Sequence, residues 1–174
     1  ADQTSGIFEM RPFYWRNKKQ ISVYGSKRTV KALTTKYDYC FIPKHGYQPI
    51  MKANVVKDYF KIRKKKNSIL IKPFDVIHGQ IKATGYLFEK IAYISDCNKI
   101  PKSSFDNIRD LEYLIIDCLR YKKHPSHFNY DEAVDLVKKV KPKKTIFTNL
   151  HVDLDYHYLK KKLPSNILPG YDGL

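Results

Sequence analysis

No run of apolar residues in this chain approaches the ~20 that a membrane-spanning helix requires, and the first residues lack the basic, apolar and small-residue order of a secretory leader. These absences exclude a helical membrane protein and lead us to expect a soluble, cytoplasmic one. Cysteine is scarce. Cys40, Cys97 and Cys118 are odd in number, far apart and in no metal-pair spacing, so a disulfide framework is excluded and free core thiols are expected. Internal repeats and low-complexity linkers are absent as well. Acidic residues are few, 17 against 33 Lys and Arg, for a net charge of +16 and a pI near 9.6. Such a balance suits a polyanionic partner. The lysines are nevertheless dispersed, without helix-turn-helix, zinc-finger or aromatic-glycine RNA motifs, so a solvated basic surface or a rim that draws an anionic substrate is expected.

What is present is enough for one domain with a real core: 174 residues, 43% of them hydrophobic. Three apolar runs organise it. Ile91-Ala-Tyr-Ile-Ser-Asp96 reads as a buried strand closed by a carboxylate, and Glu112-Tyr-Leu-Ile-Ile-Asp117 repeats the arrangement before Cys118-Leu-Arg-Tyr-Lys-Lys-His-Pro-Ser-His127. Thr145-Ile-Phe-Thr148 runs into Asn149-Leu-His151-Val-Asp153-Leu-Asp155. Short acidic residues at the carboxyl ends of such strands point into the crevice where α/β sheets hold ligands, so the pattern predicts a metal or acid/base site at one sheet edge.

Along the chain, Met10 to Trp15 is aromatic and is expected to pack on the core. Gln20 to Tyr24 predicts a strand, Ser26 a helix cap, and Lys27 to Tyr37 a helix burying Val30, Leu33 and Thr34. Tyr39 to Arg63 reads as irregular because Pro43, Gly46 and Pro49 interrupt it. Ile69 to Ile77 predicts a strand placed at an edge or bulge by Pro73, delivering His78-Gly79 to its end. Thr84 to Phe88 and Ile91 to Ser95 pair as a hairpin turning at Glu89-Lys90. Ser103 or Ser104 caps a short helix, Asn129 caps a helix over 130–140 with Ala133, Val134, Val137 and Val140 inward, and a last helix runs from Tyr156 to Leu163. The alternation of strands and helices makes the class α/β, or α+β.

Taken together, His78-Gly79, Gly85-Tyr86, Ala92-Tyr-Ile-Ser-Asp96, Asp117 to His127-Phe, Thr148-Asn-Leu-His151-Val-Asp-Leu-Asp155-Tyr and the terminal Tyr171-Asp-Gly-Leu174 resemble the metallo-β-lactamase fold, in its phosphodiesterase-like branch. The resemblance covers essentially the whole chain. It implies an αββα sandwich, here N-terminally truncated, with residues 1–174 forming a single incomplete domain. It implies a hydrolase of phosphodiester-like substrates that uses up to two divalent ions, zinc or manganese. Carried over by position, the family's His-x-His-x-Asp-His signature places its aspartate at Asp2 and its last histidine at Gln3, with two histidines before Ala1. His78 then matches a metal ligand and Asp96 the bridging aspartate, a metal ligand that also serves catalysis. His127 matches a catalytic histidine near the scissile phosphate. For the last ligand the strict match is Asn149, while His151 lies two residues on.

Such donors suit zinc or manganese, but the missing histidines predict weakened metal binding and impaired turnover. A piece of a longer protein, a degenerate product, or an oligomer in which a partner chain supplies the rest would each explain the departures. Asp117 is expected to fix the following loop through backbone hydrogen bonds, His124 to lie close to the site, and His45 and His157 to lie at the surface. A different class, a non-catalytic nucleic-acid-binding or interaction module on the same fold, is the alternative that the charge supports.

Overall fold

The structure, a computed structural model, describes residues 4–64 and 66–174. The expected metal ligand Asp2 and its neighbour Gln3 lie outside the described residues. The chain divides into two compact units, Ala1–Lys57 and Asp58–Leu174.

In the first unit a 3-10 turn, Ser5–Met10, leads into α1, Arg11–Asn17. Pro12 sits in the first turn of α1, where its missing N–H costs no hydrogen bond. Strand β1, Ile21–Gly25, is followed by α2, Lys27–Lys36, whose first turn is closed by the Thr29 N–H donating to the Ser26 hydroxyl at 3.2 Å. Next come the short helix α3, Asp38–Phe41, and strand β2, Met51–Val55, parallel to β1 with Ile21 opposite Met51. Tyr37, Cys40, Ile50 and Met51 form the buried centre. Two expectations are corrected here. Met10 to Trp15 is helical, and only part of it packs inward: Met10 and Tyr14 join the core while Phe13 and Trp15 are exposed. The stretch from Tyr39 to Arg63 is not irregular but holds α3, β2 and the next strand, because the prolines and glycine interrupt it between elements rather than within them.

The second unit is one seven-stranded sheet in which every strand lies beside its sequence neighbour. Its strands are β3 Phe60–Lys64, β4 Asn67–His78, β5 Ile81–Phe88, β6 Ile91–Ile94, β7 Tyr113–Asp117, β8 Lys144–Thr148 and β9 Ile167–Pro169. The pairs from β3 to β6 are antiparallel, joined by short turns such as Glu89-Lys90. Those from β6 to β9 are parallel, which requires longer crossovers. These are a 3-10 helix, Lys102–Ile108, then α4, Tyr130–Val140, and α5, Tyr156–Lys162. Pro73 pairs with Tyr86 of β5, while the register of β4 with β3 stops at Ile71; the proline therefore lies past the end of the outer strand, as its missing donor demands.

Asn129 caps α4 in a capping box with Glu132, and Ala133, Leu136 and Val137 are the residues it buries. The 3-10 helix has Pro101 at its N-cap position and no side-chain cap, so the expected serine cap is corrected. Ala92, Ile94, Leu114, Ile116, Thr145 and Phe147 are buried on one face of the sheet, whereas Tyr93 and Tyr113 are exposed; the apolar runs are therefore covered on one side more fully than continuous hydrophobicity suggests. Gly85 has a packing reason: opposite Phe74 across β4 and β5, a Cβ there would fall 2.6 Å from the phenyl ring.

All three cysteines are free and fully buried. Burial raises the Cys40 thiol and pushes those of Cys97 and Cys118 up to about 12, so none is a thiolate at pH 8. A colorimetric disulfide reagent should find no fast-reacting thiol in the native chain and all three in denaturant. A rapid native reaction at any of them would contradict this packing.

Candidate active site

Strands β4 and β6 are each antiparallel to β5, so they run in the same direction, and β7 and β8 are parallel to β6. The carboxyl ends of β4, β6, β7 and β8 therefore meet at one sheet edge. His78 ends β4, Asp96 follows β6, Asp117 ends β7 and Asn149 follows β8. His127 arrives on the connection between β7 and α4.

The His78 Nδ1–H donates to the Ser126 carbonyl at 2.8 Å. A carbonyl accepts only, so this bond assigns the proton to Nδ1 and leaves the Nε2 lone pair free, the usual arrangement of a metal-ligating imidazole. His127 Nδ1 donates to Asp117 Oδ2 at 2.6 Å, and the same oxygen accepts the Cys97 N–H at 2.9 Å. Asp117 is fully buried. Burial pushes its carboxyl up to about 6, against the opposing effects of the Cys97 N–H and of His127. The expectation that Asp117 fixes the following loop through backbone hydrogen bonds is corrected: the backbone N–H it accepts is that of Cys97, after β6, and it holds the following loop through the His127 side chain.

Asn149 occupies the far side of the carboxylates. Its Nδ2 donates to the Ser95 carbonyl at 2.6 Å and to Asp96 Oδ1 at 2.9 Å, and lies 3.5 Å from Asp117 Oδ1. The reversed amide would set its oxygen against a carbonyl and a carboxylate, so the partners decide its orientation. Its backbone is left-handed at φ +59°, a conformation that asparagine tolerates better than most residues.

The loop that carries His127 is fastened to the end of β4. Asn98 accepts the Gly79 N–H at 2.9 Å and donates to the Pro125 carbonyl at 3.1 Å. Gly79, at φ +62°, leaves a Cβ position only 3.1 Å from the Ser126 Cβ, so glycine lets the loop approach. The rings of His78 and His127 meet edge to face at 4.6 Å between centroids, and His124 lies 5.0 Å from His127. Burial, then the neighbouring His127, Arg120 and His78, hold the His124 imidazole below its ordinary value. An open cavity of about 980 Å³, lined in part by Asn149, His151, Tyr156 and Tyr171, borders this edge.

The structure thus brings His78, Asp96 and His127 together with Asp117, His124 and Asn149. His151 stands apart from this arrangement: it is exposed, and its ring faces Asp153, with 3.4 Å from Nδ1 to Oδ2. Asn149, not His151, is the residue at Asp96. Among the described residues no three His, Cys, Asp or Glu side chains are grouped so as to hold a metal ion. The described donors therefore do not complete a metal site: His78 and Asp96 are ligand-like, and an amide N–H occupies one oxygen of Asp96.

Comparison with known proteins bears on the family and the fold. The profile of the β-lactamase superfamily domain matches residues 1–149. The octanoyltransferase of Porphyromonas gingivalis is 26% identical over 178 residues, covering 99% of this chain and 35% of that protein. The crystal structure of a diphosphatase from the PhnP family is 29% identical with a TM-score of 0.85, over 98% of this chain and 64% of that one. Zinc-bound PqqB from Methylobacterium extorquens shares the fold alone, at 10% identity and a TM-score of 0.66, over 90% of this chain and 64% of that one. The chain thus spans about a third of its curated relative and less than two thirds of the diphosphatase. With the family profile matching well over half of its length, the chain belongs to the β-lactamase superfamily and carries the metallo-β-lactamase fold.

Proposed function

We propose that this sheet edge is the site of a hydrolase of phosphodiester-like substrates, with metal affinity weakened by Asn149 at the position of a ligand. The observation that carries it is the 2.6 Å bond between His127 and the buried Asp117, beside His78 and Asp96. A histidine held through Nδ1 by a buried carboxylate presents Nε2 in a fixed direction, suited to protonating the oxygen that leaves phosphorus. The similarity to a diphosphatase supports a phosphoester substrate. Acyl transfer through a cysteine would need a thiolate, and the buried thiols of Cys97 and Cys118, raised to about 12, do not provide one.

The metal ligands of the proposal are Asp2, His78 and Asp96, with His151 reaching the site only if its turn rearranges. A zinc or manganese ion is the cofactor these donors suit. The protein's own contribution is positional: the Ser126 carbonyl holds His78, Asn149 holds Asp96, and Asp117 holds His127.

Elemental analysis of the purified chain, paired with hydrolysis of bis(p-nitrophenyl) phosphate with and without added zinc or manganese, tests this. The expected result is substoichiometric metal as purified and turnover that rises with added metal. Asn149→His should bind metal more tightly, because it replaces an N–H donor with an imidazole lone pair. Absence of turnover in both proteins at saturating metal would sink the hydrolase reading.

A further inference from the structure

The first unit holds a second cavity, remote in chemistry from the histidine cluster. It measures about 500 Å³ and is lined by Phe8, Arg11, Trp15, Tyr39, Tyr47 and the Lys44-His45-Gly46 tip, among others. That volume is within the ~300–1,000 Å³ range of small-molecule sites. Its walls are unusual for a surface. Trp15 is 55% exposed, Tyr39 46% and Tyr47 77%, although large aromatic side chains are ordinarily buried for most of their area. The Arg11 guanidinium lies 3.5 Å from the Phe8 ring centroid and 5.4 Å from that of Trp15, so a cation is held over the rings.

The opposite wall is a tight turn. The Tyr47 N–H donates to the Lys44 carbonyl at 2.8 Å, with His45 at φ +49° and Gly46 at φ +81°. Two successive left-handed residues define a type I′ turn, in which the histidine is strained and the glycine is not. The turn is braced by the Lys44 ammonium against the Asp38 carboxylate. Residues 1–57 carry eleven Lys and Arg against three Asp and Glu, so the electrostatic surroundings favour an anion.

Aromatic faces and fixed cations around one cavity select a ligand that is planar at one end and anionic at the other. A cationic ligand would be repelled by Arg11 and by the excess of basic residues in this unit, and a purely apolar one would strip water from the guanidinium without replacing it. We propose that this pocket binds a nucleoside phosphate, its base stacked against Trp15 and Tyr47 and its phosphate against the N–H edge of Arg11 and the Lys44-His45 tip. Stacking of bases on aromatic side chains tolerates any base, as expected for a platform built largely from rings. The site belongs to the Ala1–Lys57 unit and does not depend on the hydrolase reading.

Trp15 is the only tryptophan in the chain, so its fluorescence reports occupancy directly. The full chain is titrated with AMP, an eight-residue oligoadenylate, ribose 5-phosphate and inorganic phosphate. Saturable quenching by AMP or the oligonucleotide, at concentrations at least tenfold below those needed for ribose 5-phosphate, is expected. Tyr47→Ala, which removes a largely exposed ring, should weaken that binding about tenfold or more with an unchanged circular dichroism spectrum. Arg11→Gln should weaken it and flatten its salt dependence. An oligonucleotide at least tenfold tighter than AMP assigns the phosphate to a single strand, and equal affinities assign it to a free nucleotide. No quenching by either probe, equal binding of ribose 5-phosphate, or wild-type affinity in Tyr47→Ala would overturn the proposal.

Discussion

Asp117→Ala is expected to lower the stability of the chain by about 3–5 kcal/mol, within the sum for two donors left without their buried acceptor at about 1–3 kcal/mol each. Asp117 is fully buried and binds two donors through one oxygen, the Cys97 N–H and His127 Nδ1. Alanine leaves both donors without their acceptor at a position that is fully buried. Each unmet donor carries its own desolvation cost. The loss should appear as a fall in melting temperature of more than about 10 °C, given the few degrees per kcal/mol of a domain this size. With its amide oxygen at the position that accepts both donors, Asp117→Asn should retain more stability than alanine, while its NH2 turns toward the Asn149 amide and the carboxylate charge beside His127 is lost. A melting shift of only a degree or two in Asp117→Ala would mean that neither hydrogen bond holds the fold.

His127→Ala is expected to act on turnover instead. It should lower kcat for phosphodiester hydrolysis by about 10²–10⁴, the usual contribution of a positioned proton donor, with little change in KM. His127 is partly exposed, at 16% of its side-chain area, so its removal costs less packing than that of Asp117. The leaving group gives the diagnostic. A p-nitrophenolate departs without help, whereas an alkoxide needs a proton, so the loss should be greater for an alkyl ester. Equal losses for the two substrates, or less than tenfold for both, would remove His127 from the acid role. Because Asp117 works through His127, Asp117→Asn and His127→Ala combined should cost little more turnover than His127→Ala alone.

Much of the second unit was legible before the structure. The hairpin at Glu89-Lys90, the strand from Thr145 to Thr148 and the Asn129 cap of the helix over 130–140 follow from local chemistry that acts within a few residues. The first unit and the outermost strands of the second were less so. Residues 51–55 and 60–64 have few strong strand signals, and they become β2 and β3 because β1 and β4 lie beside them. The three-residue β9 is likewise defined by its pairing with β8, with no periodicity long enough to announce it.

The site divides along the same line. That His78, Asp96 and Asp117 end strands is a property of the sequence, since a hydrophobic run closed by a polar residue has a local reason to stop there. Which partners they meet is not, because the bonds from His127 to Asp117, from Asn149 to Asp96 and from His78 to Ser126 span 10 to 53 positions of chain. Neither His151 nor Asn149 could be chosen by spacing alone. The left-handed turn at Asn149 decides, by directing its amide at the Ser95 carbonyl and Asp96 and leaving His151 at the surface. The sequence by itself determined the longer apolar strands, the Ser26 and Asn129 caps, the buried thiols and the edge at which the chemistry collects, since these depend on period and on side-chain chemistry. The tertiary structure alone decided the partners of each polar group, since a hydrogen bond depends on distances that only the packed sheet sets.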